Sequence, residues 1–298
     1  FVHGALQDSA LLDQLHSEEH LEAVVHFAAE SHVDRSIFGP EAFVETNVVG
    51  TFRLLEASLK QWESSGKPKD FCFLHISTDE VYGSLGAEGY FTEESPYDPS
   101  SPYSASKAGS DHLVRAYFRT FGLPAIITNC SNNFGPYQFP EKLVPLMILN
   151  VMDENPLPVY GDGKHVRDWL YVIDHCDGLV RVLEQGKPGE TYNIGGGAER
   201  QNIVVVHLLC DLLDARLQRP RGKSSRRLIQ FVSDRPGHDR RYAIDASKIE
   251  RELGWSPAHD FEEALEATVD WYLHNLDWVE LVRSGEYRKW IEINYEHR

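Results

Sequence analysis

Apolar positions along the chain follow two alternating rhythms. Short apolar runs, EAVVHFAA (22–29), FCFLHIS (71–77) and PAIITNC (124–130), carry the mark of buried strands. Between them lie longer stretches with apolar residues at helical spacing. These are PEAFVETNVVGTFRLLEASLKQW (40–62), with Pro40 placed to open it, and SPYSASKAGSDHLVRAYFRTFG (101–122), ended by Gly122. Strands separated by long helices imply βαβ crossovers, so the expected fold is α/β, a doubly wound parallel sheet of Rossmann type.

After residue 130 the regularity breaks at the Gly/Pro-rich SNNFGPYQFP. The pattern then predicts a helix near 141–153, short strands at PLPVY (156–160) and WLYV (169–172), a helix near 173–186, the strand-like TYNIGGG and a helix from about 202 to 214. LIQFV, RRYAID and a helix-rich tail complete it. The expected division is residues 1–132 as the sheet domain, with a strand and helix near 167–187 returning to it, and 133–298 as a smaller α/β lobe. In open parallel sheets ligands bind beyond the carboxyl ends of the strands, where HISTDE and TNCSNN fall.

Composition narrows the function classes. A formal net charge of −17 over 298 residues speaks against nucleic acid or an anionic membrane surface as the main partner. An anionic small ligand would need a local cluster of Arg and Lys. No apolar run approaches the ~20 residues of a membrane span, and no signal peptide is visible. Cys72, Cys130, Cys176 and Cys210 show no CxxC spacing and read as reduced core thiols of a cytoplasmic protein. The histidines form no ligand motif, so no metal is expected. RPRGKSSRR (219–227) reads as a solvated loop. The Gly195 to Gly197 run reads as a turn, because a GxGxxG register would put Arg200 where its third Gly belongs.

Two stretches carry chemistry. HISTDEVYGS (75–84) places Asp79 and Glu80 side by side where an apolar strand ends. Burying such charges is costly unless they are paired or used, and like charges in one site push their proton affinities apart. PYSASK places Tyr103 and Lys107 four apart, on one face of a helix. A tyrosine with an ordinary pKa of about 10 acts as a base at neutral pH only with roughly 4 kcal/mol of differential stabilisation, which a neighbouring cation can supply.

The order strand, STDEVYG, loop, SPYSASK resembles the extended short-chain dehydrogenase/reductase superfamily. HFAAESHVDRSI, ISTDEVYG, SPYSASKA, TNCSNNFGPYQFPEKLVPL, VRDWLYV, YNIGGG, RPGHDRRYAID and the closing SGEYRKWIEINYEHR together resemble the dTDP-glucose 4,6-dehydratases over essentially the whole chain. The resemblance implies NAD as cofactor, a dTDP-glucose substrate and a homodimer formed through helices 40–62 and 101–122. It implies that Tyr103 takes the proton of the sugar 4-hydroxyl with help from Thr78, while Lys107 holds the cofactor ribose and lowers the Tyr103 pKa. Glu80 would then take the C5 proton and Asp79 protonate the departing 6-hydroxyl, before hydride returns to C6.

By motif position, Phe27, Ala28, Ala29, Ser31, Thr46 and Asn133 are implied to meet the cofactor together with Tyr103 and Lys107. Ser31, Thr78, Asn132, Lys142, Leu143, Pro158, Val159, Tyr160, Arg167, Asn202, Arg235 and His238 are implied to meet the sugar nucleotide, with Arg167 and Arg235 supplying positive charge for its diphosphate.

The sequence departs from the family at its start. It opens on FVHGALQD, with no Gly-rich phosphate loop and with Ala5 where the family commonly has an Asp. The expectation is therefore a fragment of a longer enzyme whose first strands are missing. The alternatives are another sugar-nucleotide enzyme of the superfamily, a 4-epimerase, a decarboxylase or a dehydratase of a different nucleotide, and a non-catalytic remnant of the fold. The Asp79–Glu80 pair separates a dehydratase from an epimerase, which needs neither an acid at C6 nor a base at C5.

Overall fold

The computed structural model describes residues 1–19, 21–220 and 222–283; the SGEYRKWIEINYEHR stretch lies outside them. The chain runs α1 (Ser9–Glu19), β1 (Ala23–His26), α2 (Val33–Phe38), α3 (Pro40–Phe43), a π-helical segment (Val44–Gly50), α4 (Thr51–Ser64), β2 (Cys72–Thr78), a 3₁₀ turn (Asp79–Tyr82), α5 (Pro102–Phe121) and β3 (Ala125–Cys130). It continues through β4 (Asn132–Phe134), α6 (Leu143–Met152), β5 (Leu157–Tyr160), β6 (Val166–Tyr171), α7 (Val172–Gln185), β7 (Thr191–Ile194), β8 (Glu199–Gln201) and α8 (Asn202–Arg216). A second 3₁₀ turn (Ser225–Leu228), β9 (Ile229–Val232), α9 (Ser247–Leu253), α10 (Phe261–His274) and α11 (Leu276–Arg283) follow. No helix among the described residues is long and apolar enough to cross a membrane.

The chain divides into two units. The first comprises Phe1–Ser131, His175–Gly197 and Arg235–Ser256. Its sheet has the order β1-β2-β3-β7 with every pair parallel, as the alternation of apolar runs and helices implies. Phe73, Leu74, Ile126 and Ile127 on the central strands are almost wholly buried, as are Leu55, Val114 and Leu123 beside them. Each such side chain contributes roughly 1.5–3 kcal/mol through burial.

Helix α5 begins at a reciprocal cap: the side chain of Ser101 accepts the Ser104 N–H, and the side chain of Ser104 accepts the Ser101 N–H, both at 3.1 Å. Pro102 follows at the first helical position, and Gly122 ends the helix in the left-handed region at φ 77°.

The helix expected over 40–62 runs continuously, with helical backbone angles at Val44 and Gly50, and includes a π-helical segment in which the Asn47 side chain grips the loop after β1. In RRYAID, Ile244 makes an isolated bridge to Phe91. Cys176, expected in the core, is exposed, whereas Cys210 is buried.

Among the described residues, the second unit comprises Asn132–Asp174, 198–234 and the chain from 257 to 283. It holds a small sheet of order β4-β6-β8 and the parallel pair β5-β9. Phe134, Met147, Leu157, Trp169, Leu209, Leu265 and Val269 form its core. Residues 167–171 therefore pair within this unit and do not return to the large sheet. The returning strand is Thr191–Ile194, because its backbone completes the ladder beside β3. Residues 235–256 belong with the first unit, not with the expected second lobe. The basic run is not simply solvated: Arg219 and Arg227 both pair with Glu154, and Arg226 with Asp211.

Candidate active site

Strand β2 carries the acidic pair to the carboxyl edge of the sheet. It is flanked there by β3, with Thr78 in register with Cys130. At Thr78 the backbone leaves the strand and tightens into the 3₁₀ turn, which Thr78 caps: its Oγ1 accepts the Glu80 N–H at 3.3 Å and donates to Asp79 Oδ1 at 3.3 Å. Asp79 is buried at 2% exposure, whereas Glu80 is half-buried. Neighbouring carboxyl groups thus sit in unequal surroundings. Gly83 ends the turn at φ 88°, where a Cβ would lie 2.4 Å from the Asp98 carbonyl oxygen.

Tyr103 lies in the first turn of α5, buried at 8% exposure, and Lys107 one turn later at 3%. Burial and the Glu80 carboxylate push the Tyr103 phenol well above its ordinary value, against a hydrogen bond from Thr78 that pulls it down. The net push is upward, the reverse of what a base requires. In this arrangement the Lys107 ammonium is engaged elsewhere, donating to the Ile76 carbonyl at 2.8 Å. The expected lowering, by Lys107 together with a cationic nicotinamide beside it, therefore depends on charge that a bound cofactor brings.

Phe27, Ala28 and Ser31 are exposed in the loop after β1, with Ala29 half-buried. That loop is held by Asn47, which accepts the Glu30 N–H at 2.8 Å and donates to the Glu30 carbonyl at 3.0 Å and to Ser106 Oγ at 2.8 Å. Thr46, on the π-helical segment, accepts from Gln7 Nε2 at 3.4 Å. Arg235 stands 3.5 Å from Asp34, a partner that offsets part of its charge; His238 lies three residues on, in the same unit.

The other residues expected to meet the sugar nucleotide, Ser31 and Thr78 apart, lie in the second unit. Asn132 and Asn133 form β4 in register with Trp169 and Leu170, and Asn133 offers its carbonyl to Gln138 Nε2 at 2.8 Å. Lys142 caps α6, which Leu143 opens; Pro158, Val159 and Tyr160 lie on β5 against β9; Arg167 on β6 is buried and donates to the Val166 carbonyl at 2.8 Å. Asn202 opens α8. The side-chain oxygens of Asn132 and Asn202 are buried acceptors without a hydrogen bond among the described residues, positions suited to donors on a ligand.

Sequence reasoning missed Asn47, His75, Ser77 and Asp111. Asp111 continues the four-residue spacing of Tyr103 and Lys107, and His75 and Ser77 alternate toward one face of β2, so the signal was present as periodicity.

A family profile described as GDP-mannose 4,6 dehydratase matches residues 1–268. A dTDP-glucose 4,6-dehydratase of Xanthomonas campestris pv. campestris is 59% identical over 97% of this chain and 83% of its own length. The chain belongs to the dTDP-glucose 4,6-dehydratase family. A family member from Salmonella typhimurium is 57% identical over 100% of this chain and 85% of its own length. Among solved structures, DesIV from Streptomyces venezuelae, a dTDP-glucose 4,6-dehydratase with NAD and TYD bound, superposes with a TM-score of 0.85 at 48% identity, covering 95% of this chain and 82% of that one. A UDP-glucose 4-epimerase of Thermotoga maritima gives 0.82 at 26% identity, covering 93% and 85%. The fold is thus shared with epimerases.

The first unit fits NAD, the cofactor of this family. The loop after β1 presents exposed Phe27 and the small Ala28 at the carboxyl edge of the sheet, and a buried phenol and ammonium on α5 meet the same edge.

Proposed function

We propose that this protein converts dTDP-glucose to dTDP-4-keto-6-deoxyglucose with release of water, and that the residues gathered on β2 and α5 perform the proton transfers. The observation that carries this reading is the Asp79–Glu80 pair, one carboxyl buried and the other half-exposed, on the turn capped by Thr78. Two carboxyl groups in unequal environments are how acid and base work is divided at one pH.

Bound NAD supplies the electron acceptor for C4 and the donor for C6. Tyr103 takes the 4-hydroxyl proton, and Thr78 orients that oxygen. Phe27, Ala28, Ala29, Ser31, Thr46, Asn133 and Lys107 hold the cofactor. Once C4 is a ketone the proton at C5 is acidic; Glu80 removes it, Asp79 delivers a proton to the leaving 6-hydroxyl, and a proton returns to C5 as hydride reaches C6. Ser31, Asn132, Lys142, Leu143, the Pro158–Tyr160 strand, Arg167, Asn202, Arg235 and His238 bind the sugar nucleotide. The working form is a cytoplasmic homodimer built through α4, α5 and the segment around Val44, which together with Phe121 leaves apolar surface exposed. Four free thiols accord with that compartment.

Incubating the full-length protein with dTDP-glucose and NAD, then reading product mass, tests the reaction. Loss of one water supports the dehydratase; unchanged mass with inversion at C4 points to an epimerase. The GDP-mannose description of the matching profile makes the base a second question, and parallel dTDP-, UDP- and GDP-sugars answer it.

A further inference from the structure

Asp111 lies two helical turns after Tyr103 and one after Lys107, with no exposed surface. Ser77 Oγ and Tyr97 OH both donate to its Oδ2 at 2.8 Å, and His75 Nε2 stands 3.2 Å from its Oδ1. His75 and Ser77 flank Ile76, whose carbonyl receives the Lys107 ammonium at 2.8 Å. The carboxylate and the ammonium therefore clasp the same three residues of β2 from successive turns of α5.

We propose that Asp111 is a positioning residue for the dehydratase reaction, the buried counterion that keeps Lys107 charged and seated on the Ile76 carbonyl. This rests on the functional reading above for what Lys107 does; the interaction itself acts across one helical turn between two buried side chains that grip adjacent residues of β2, not through a direct ion pair. The titratable groups facing Lys107 are Asp111 from α5, His75 from β2, His26 from β1 and Cys130 from β3. Asp111 is the one carboxyl group among them. Burial, with Lys107 adding to it, holds His75 down to about 4, so this imidazole is neutral near pH 7 and leaves the Asp111 charge to Lys107. Burial alone would raise Asp111; the donors around it and Lys107 outweigh that and hold it below the ordinary carboxylate value. Burial lowers the Lys107 ammonium, and Asp111 opposes the fall. A buried cation stripped of its counterion is far less tolerable than the removal of both.

The test reads Lys107 directly. In full-length protein carrying ¹³C-lysine, with the signal assigned through Lys107→Arg, Asp111→Asn should lower the Lys107 titration midpoint by about one unit or more, and Asp111→Glu should restore most of it. The alkaline limb of the kcat profile should move down with the midpoint, whereas a merely structural defect lowers activity at every pH alike. An unchanged midpoint in Asp111→Asn overturns the proposal. If Asp111→Asn does not fold, the Lys107→Met, Asp111→Asn double variant decides: recovery of folding supports the pairing, and failure of the double variant as well overturns it. The lysine titration needs no turnover, so an inactive enzyme would sink the functional reading while leaving this result legible.

Discussion

Thr78 holds Glu80 by its backbone: Oγ1 of the strand's last residue accepts the N–H of the second residue of the turn at 3.3 Å. The residue proposed for C4 oxidation therefore also sets the position of the residue proposed for C5 deprotonation, so in the proposed reaction both act from a single piece of backbone.

Glu80→Gln should leave C4 oxidation intact and stop water loss. The expected outcome is a drop in kcat of roughly 10²–10⁴-fold, the usual contribution of a positioned base. Reduced cofactor should accumulate at the absorbance of NADH. In deuterated water the variant should lose solvent exchange at C5, which Asp79→Asn should retain while still losing product formation. Exchange lost in both variants or in neither would show that the acid and base roles are assigned wrongly.

Ser101→Ala removes one half of the cap at the start of α5, two residues before Tyr103. The expected loss is about 1 kcal/mol of stability, read as a lowered denaturant midpoint with an unchanged slope. Because the first helical turn carries the Tyr103 phenol, kcat should fall with little change in NAD affinity.

Gly83→Ala should destabilise the fold more than an ordinary surface change. Its φ of 88° and the Asp98 carbonyl oxygen 2.4 Å from the added Cβ leave no room for a side chain. The turn carrying Asp79 and Glu80 has to shift, so thermal midpoint and kcat should fall together.

His175 gives a pH dependence of known sign. Burial pushes its imidazole down to about 4 from 6.5, so the unfolded chain binds the extra proton first. The stability this group contributes is complete above about pH 6.5 and is lost as pH falls toward 4, up to roughly 3 kcal/mol. His75, also held to about 4, adds in the same direction. The thermal midpoint should drop between pH 7 and pH 5, and His175→Gln should drop less over that interval.

The sequence alone determined the parallel α/β class, the central strands, the glycine end of α5 and the candidate stretches HISTDE and PYSASK. Those features are local: apolar runs, a helical spacing and a terminal glycine act over a few residues, where side-chain period reports backbone conformation. What only the tertiary structure decided depends on partners distant in the chain. Whether 191–194 or 167–171 joins the large sheet is a choice of ladder, because β7 finds β3 across some sixty residues of intervening chain. Asn47, within the π-helical segment at 44–50, meets Glu30 and Ser106, and no propensity along 40–62 encodes that meeting. Asp111 was visible as a period of four, yet its bond to Ser77 and its place beside His75 arise only once α5 is laid on β2. Local sequence chooses backbone conformation, whereas desolvation and pairing across the core choose which of its charged groups work.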